Sequence, residues 1–201
     1  MEASTVDVAW VSNATWIAVL VVWVAFAGVF LARRRVAGSP ERKRDRMGLV
    51  GLALQGVGYA VVWAARRMPG TPLVDMPLAA VVAVGLAAIG VALASFLLVL
   101  WAVQTLGRQW ALAARVLEGH ELVTGGPYRW IRNPIYAGML GMLVATGVAV
   151  SQPRGLLVGV AVFLVGTVVR VKSEERLLRE AFGERWADWA RRTPALVPFV
   201  W

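Results

Sequence analysis

The sequence predicts an all-α integral membrane protein of about five transmembrane helices. Its N-terminus is expected outside, its C-terminus in the cytoplasm, and an amphipathic C-terminal helix at the cytoplasmic face. Three observations carry this. First, 59% of the 201 residues are hydrophobic and only 16% are charged, against roughly 45–50% and about 25% in soluble domains. Second, the charges fall between long uncharged blocks. Third, the basic residues gather on alternate sides of those blocks.

No charged residue occurs over Val8–Ala32 (25 residues), Met47–Ala65 (19), Met76–Gly107 (32), Asn133–Pro153 (21) or Gly155–Val169 (15). A helix crossing the hydrocarbon core takes roughly 17–25 apolar residues, so the first four blocks are long enough. The fifth is shorter, but Arg154 and Arg170 flank it and can extend their charges to the interface. The expected spans are therefore 8–32, 47–65, 77–104, 134–152 and 155–170, with a further helix over 172–192. The last two spans form a tight hairpin around Gln152-Pro153-Arg154. Residues 1–106 make an N-terminal set of three spans, and residues 107–201 a second unit. The first block does not read as a cleavable signal, because Glu2 and Asp7 precede it rather than lysines and its run exceeds an h-region.

Orientation follows from the basic residues. Loop Arg33–Arg46, connection Arg108–Arg132 and the tail from Arg170 together hold 18 Lys/Arg, against three on the other side (Arg66, Arg67 and Arg154). The positive-inside rule puts the richer side in the cytoplasm. The net charge of +9 is then a matter of topology and of attraction to anionic headgroups, and nucleic acid is not an expected partner. With no cysteine and one histidine, His120, neither a disulfide nor a thiolate or His-cluster metal site can form. Carriers usually place acids inside their spans; every acidic residue here lies outside the apolar blocks.

Ala137, Gly141 and Ala145, then Gly155 and Gly159, recur at four-residue spacing. This allows close helix approach within the hairpin and equally contact between chains, so the oligomeric state stays open. Trp10, Trp63, Trp110 and Trp130 fall near span ends, as in an interfacial belt.

Chemistry is expected in two polar segments, 106–136 and 170–201. In the first, Gly125-Gly126-Pro127 is a turn, and Asn133-Pro134 opens the fourth span with an N-cap residue followed by proline at the first helical position. The helix start is a potential anion site flanked by Arg129 and Arg132; equally, these residues are a turn, a cap and interfacial arginines. In the second, Leu178, Phe182, Trp186 and Trp189 form an apolar stripe, and Glu175 and Arg179 are spaced to pair. Such a stripe suits a helix on the membrane surface. Glu174 and Glu175 stand just past a span, where an acid usually has a partner or ligand. Pro194 and Pro198 end the helix, so Thr193–Trp201 is expected to fold back onto the body.

Together these segments resemble the isoprenylcysteine carboxyl methyltransferases, close to the membrane phospholipid methyltransferases. The run His120-Glu121-Leu122-Val123-Thr124-Gly125-Gly126-Pro127-Tyr128-Arg129-Trp130-Ile131-Arg132-Asn133-Pro134-Ile135-Tyr136-Ala137-Gly138 is similar to one family pattern. Arg170, Glu174-Glu175, Phe182-Gly183, Trp186, Trp189, Arg192-Thr193-Pro194 and Pro198-Phe199 are similar to the second. The likeness covers the last half of the chain.

The resemblance implies S-adenosyl-L-methionine as cofactor. Its contacts would come from His120, Leu122, Val123, Gly126, Tyr128 and Pro134, and from Arg132, Asn133, Tyr136, Glu174 and Glu175. It implies chemistry at Arg132, Asn133, Arg170 and Glu174. The cofactor's carboxylate would suit the Asn133 helix start and Arg132, while Glu174 or Glu175 would meet its ammonium, its hydroxyls or its sulfonium charge. Tyr128 and Tyr136 offer aromatic faces. The acceptor would be lipidic or a small hydrophobic molecule entering from the membrane. A carboxylate acceptor needs no general base and suits Arg170 or Arg132; an amine or phenol needs one. The eukaryotic enzymes carry His where this chain has Asn133, which cannot take a proton at neutral pH, and the Arg-Asn-Pro form resembles the bacterial members more closely. Two other readings stand beside this one: an NADPH-dependent membrane sterol-type reductase with a similar hairpin, and a non-catalytic membrane scaffold.

Overall fold

Proline and glycine punctuation sets the helix ends in the computed structural model, which describes residues 2–33, 41–44, 46–107, 115–117 and 122–196. Helices α1 (Glu2–Arg33), α2 (Arg46–Ala64), α3 (Leu78–Leu106), α4 (Pro134–Val150), α5 (Pro153–Phe182) and α6 (Glu184–Arg192) make up the body. Pro134 and Pro153 occupy first helical positions, where a missing N–H costs nothing. Gly107 and Gly183 end α3 and α5 at φ +55°, a left-handed conformation that glycine adopts without steric penalty. A short antiparallel ladder pairs β1 (Glu41–Arg44) with β2 (Arg115–Leu117).

Helices α1, α2, α3 and α5 are long and apolar enough to cross a membrane, and α4 is a shorter apolar helix. Two boundaries differ from the sequence expectation. The short helix is α4, at 17 residues, not the block that follows it. The fifth helix does not stop near Arg170, and no separate helix starts at 172. Instead α5 runs on for 30 residues to Phe182, because nothing between Arg170 and Phe182 breaks a helix and Gly183 is the first residue that does. The expected apolar stripe is therefore split, with Leu178 and Phe182 on α5 and Trp186 and Trp189 on α6.

Helix α4 sits centrally, packed by α1, α2, α3 and α5. Met142 and Leu143 are fully buried along it. The small residues promote close approach, and their contacts identify the neighbours. Glycines on α5 face α2 rather than α4: a Cβ at Gly159 would lie 2.6 Å from Val62 Cγ2 and 2.8 Å from the Gly58 carbonyl. On α4, Gly138 packs against Val99 and Ser95 of α3, as Gly141 does against Ser95. Four-residue spacing signals that backbones approach; it does not name the neighbour.

Gly58→Ala is expected to destabilise the protein by about 1–3 kcal/mol. Its Cβ would come within 2.7 Å of the Gly159 carbonyl and 2.9 Å of Phe163 Cβ, neither of them a flexible end that can move aside. Gly56→Ala on the same helix meets nothing within 4 Å and is the control, neutral or slightly stabilising through helix propensity. Thermal unfolding of both variants in one detergent measures the difference.

At the end of α4 remote from Asn133, Arg67 donates to the carbonyls of Val148 (3.0 Å), Ala149 (2.9 Å) and Ser151. These helix-terminal carbonyls lack intrahelical donors, and a guanidinium there also complements the helix dipole. Trp10 and Trp130 are exposed, as a belt requires. Trp63 instead packs edge-on against Trp23 at 6.1 Å, and Trp110 lies outside the described residues.

Candidate active site

The charged residues of the two polar segments meet where α4 begins. Arg170 of α5 is 3% exposed, and a charge so deeply buried must be matched. Its Nη1 donates to Gln55 Oε1 at 3.2 Å and its Nη2 to Glu174 Oε1 at 3.3 Å. The guanidinium lies over the Tyr136 ring, 4.8 Å from the centroid, a favourable cation–π placement. The Tyr136 hydroxyl donates to the same Glu174 oxygen. One helical turn separates Arg170 from Glu174 on α5, and Pro134 fixes where α4 starts and hence where Tyr136 stands.

A second ion pair lies beside the first. Arg132 Nε and Nη2 reach Glu175 Oε1 at 2.9 and 2.8 Å. Arg132 Nη1 donates to the carbonyls of Ala190 (2.8 Å) and Thr193. The chain after α6 is drawn in with it: the amides of Arg132 and Asn133 donate to the carbonyls of Pro194 (2.9 Å) and Ala195 (3.0 Å). Thr193, Ala195 and Leu196 are buried. The described part of the tail thus folds back as expected, while Pro198, Phe199 and the terminus lie outside the described residues.

This changes the reading of three residues. Asn133 holds the N-cap position of α4 but makes no side-chain cap bond; its Nδ2 donates to the Ala195 carbonyl at 2.9 Å. The backbone amides of Arg132 and Asn133, just ahead of α4, donate to the carbonyls of Pro194 and Ala195. Glu175 pairs with Arg132 rather than Arg179, and Arg179 lies over the Trp186 ring at 4.8 Å. Arg132 and Asn133 together clamp the tail. A pairing 43 residues apart outcompeted the adjacent-turn pair because an exposed pair on one helix contributes only a few tenths of a kcal/mol.

The turn before α4 adds Tyr128. Gly126 opens it at φ +58°, and a Cβ there would stand 2.6 Å from Thr105 Oγ1 of α3, so both conformation and space call for glycine. Pro127 and Tyr128 are buried in the short 3-10 helix Gly126–Arg129. Burial, and then the charge of Glu174, push the Tyr128 phenol well above its ordinary range, which keeps it a neutral donor at physiological pH. Leu122 and Val123 are half-buried on the approach to this turn, and Pro134 is buried. His120 lies outside the described residues.

Gln55 was not singled out by sequence. It lies on α2, far from both polar segments, yet it is 1% exposed and binds both Arg170 and Thr167. The available signal was an amide inside an apolar span, which is expensive unless used. The arrangement as a whole is a buried cation stacked on a phenol, two carboxylates each held by an arginine, and phenols on the α4 side. It can bind and orient charged groups. Among the described residues no cluster of acids or histidine is arranged to hold a metal.

Comparison with known proteins places this geometry. The model of the phospholipid methyltransferase family matches residues 81–185, from α3 into α6. Protein-S-isoprenylcysteine O-methyltransferase B of Arabidopsis thaliana is 35% identical over 101 residues, 49% of this chain and 51% of that protein. The cobalt-zinc-cadmium resistance protein CzcN of Cupriavidus metallidurans is 38% identical over 96 residues, 47% of this chain and 44% of its own. Protein-S-isoprenylcysteine O-methyltransferase of Mus musculus is 34% identical over 84 residues, 41% of this chain and 29% of its own length. The chain thus spans about half or less of the curated relatives it matches. The shared region contains both ion pairs and the turn that leads into α4, and on that match the chain belongs to the phospholipid methyltransferase family.

Proposed function

We propose that this chain is an S-adenosyl-L-methionine-dependent membrane methyltransferase that methylates a carboxylate oxygen of a lipidic or small hydrophobic acceptor, with its site at the cytoplasmic end of the bundle. Residues 107–201 supply most of the site, and the first three helices supply the membrane body. The names of the relatives favour O-methylation. The observation that carries the acceptor class is that Glu174 and Glu175 are each paired with an arginine.

Both carboxylates are already committed to guanidinium partners, Glu174 to Arg170 and Glu175 to Arg132. Methylating an ammonium or a phenol requires a base to take its proton; a carboxylate has none to lose. A site whose two acids are both neutralised suits an acceptor that arrives as an anion. Arg170 is the cation at its centre and orients such a group, with Tyr136 fixing the plane of its guanidinium.

The donor set fits S-adenosyl-L-methionine. Its ammonium and hydroxyls call for carboxylates, which Glu174 and Glu175 provide at their exposed edges. When bound, this cofactor supplies an electrophilic methyl on a sulfonium, and the protein contributes position and electrostatics. Glu174 offsets positive charge nearby, and Tyr128 remains a neutral donor beside it.

Calorimetric titration of the protein in lipid nanodiscs with S-adenosylmethionine, S-adenosylhomocysteine and NADPH tests the cofactor. Saturable binding of the first two and none of NADPH is expected. NADPH binding alone would replace this reading with a reductase, and binding of none would remove the enzymatic reading.

A further inference from the structure

We propose that Gln55 of α2 is a positioning residue for the site: it holds the Arg170 guanidinium in the orientation that serves the acceptor, which makes an N-terminal helix outside the family match part of the active-site machinery. The inference rests on the methyltransferase reading for its activity arm, and on geometry alone for its second arm.

The hydrogen bonds around Gln55 admit one arrangement. Thr167 Oγ1 donates its single proton to the Phe163 carbonyl at 2.9 Å, so toward Gln55 it can only accept. It does so from Gln55 Nε2 at 2.9 Å. The amide nitrogen is thereby fixed toward Thr167 and the amide oxygen toward Arg170, which can only donate. That oxygen accepts from Arg170 Nη1 at 3.2 Å. Both ends of a side chain with 1% exposure are therefore used, and used in one sense.

The guanidinium is held by three elements. Gln55 of α2 takes one edge, Glu174 of α5 another, and the Tyr136 ring of α4 takes a face. Glu174 in turn accepts from Tyr136, so displacement of Arg170 disturbs the whole group. The helices are close enough for this because Gly51 and Gly166 meet there: a Cβ on Gly51 would lie 2.5 Å from Arg170 Cγ and 2.7 Å from the Gly166 carbonyl. A buried amide on a span is costly in hydrocarbon, and a span needed only for anchoring would do as well with leucine. The family match begins at residue 81, so Gln55 is a contribution of this chain's N-terminal helices.

Gln55→Leu and Gln55→Glu in nanodiscs test this. Leucine removes both bonds: turnover should fall by about 10-fold to 10²-fold, as for a modest misplacement of a reacting group. Glutamic acid in its neutral form reproduces the pattern, its O–H donating to Thr167 and its carbonyl accepting from Arg170. Once ionised it loses the donor and draws Arg170 from Glu174. The groups facing it are Arg170 and Glu174 of α5 and Tyr136 of α4. Gln55→Glu should therefore keep near-normal turnover at acidic pH and lose it as pH rises, a profile absent from wild type. Wild-type turnover in Gln55→Leu, or a wild-type pH profile in Gln55→Glu, would overturn the proposal. Should the wild type transfer no methyl group, the methyltransferase reading fails. The second arm then decides: melting temperatures of Gln55→Leu, Arg170→Lys and the double variant. Strongly non-additive shifts support the coupling; additive ones overturn it.

Discussion

Glu174→Gln is expected to lower methyl-transfer turnover by about 10²–10³-fold, the usual cost of removing one preorganised electrostatic group from a site. The substitution keeps the shape and removes the charge. Arg170 then loses its ion pair with Glu174, and the Tyr136 hydroxyl faces an amide where it had faced a carboxylate. Breaking a fully buried pair costs about 3–5 kcal/mol; because the Glu174 side chain is 26% exposed, water recovers part of this and a loss of about 2–3 kcal/mol is expected. Turnover measured well below the lowered melting temperature separates the two effects. The same assay on Glu174→Asp, which keeps the charge on a shorter arm, should give an intermediate rate. Full turnover in Glu174→Gln would reduce Glu174 to a structural partner of Arg170.

Arg132→Ala carries the second large effect. Its guanidinium binds Glu175, the Ala190 carbonyl and the Thr193 carbonyl, so one side chain ties the start of α4 to α5, to α6 and to the tail. Its loss leaves Glu175 without that cation and two carbonyls without that donor. A destabilisation of about 3–4 kcal/mol follows from one partly buried ion pair and two charge-assisted hydrogen bonds. The loss should be local before it is global. Limited proteolysis is expected to cut after α6 at concentrations that leave the wild type intact, and Arg132→Lys, which cannot span the three acceptors, should rescue only in part. An unchanged cleavage pattern would show that the backbone bonds to Pro194 and Ala195 hold the tail without it.

Much of this was legible in the sequence, and the misses share a physical cause. Apolar length and charge placement gave the number and rough limits of the apolar helices, because lipid forces every span to satisfy its own backbone. The Gly-Gly-Pro turn, the Asn-Pro start of α4 and the expectation of partners for the two glutamates were local signals. What sequence did not give was partnership. Glu175 looked outward along its own helix to Arg179, yet pairs with Arg132. The glycine spacing on α5 named no neighbour, and these glycines face α2. Asn133 suggested a side-chain cap, yet its amide fastens the tail. Each depends on which helices become neighbours, and spacing along one helix does not contain that information. Gln55 combines both lessons: its oddity in an apolar span was visible, while its role needed α5 beside it.

In the proposed reaction a methyl group passes from S-adenosylmethionine to a carboxylate without a general base. Membranes with and without the protein, incubated with S-adenosylmethionine labelled in its methyl group and then extracted into organic solvent, test it directly. A carboxyl methyl ester is hydrolysed by mild alkali, whereas N-methyl and S-methyl groups are not. The account predicts a protein-dependent, solvent-extractable label that mild alkali releases as volatile methanol. A label that stays with the product after alkali, or no protein-dependent label at all, would contradict it.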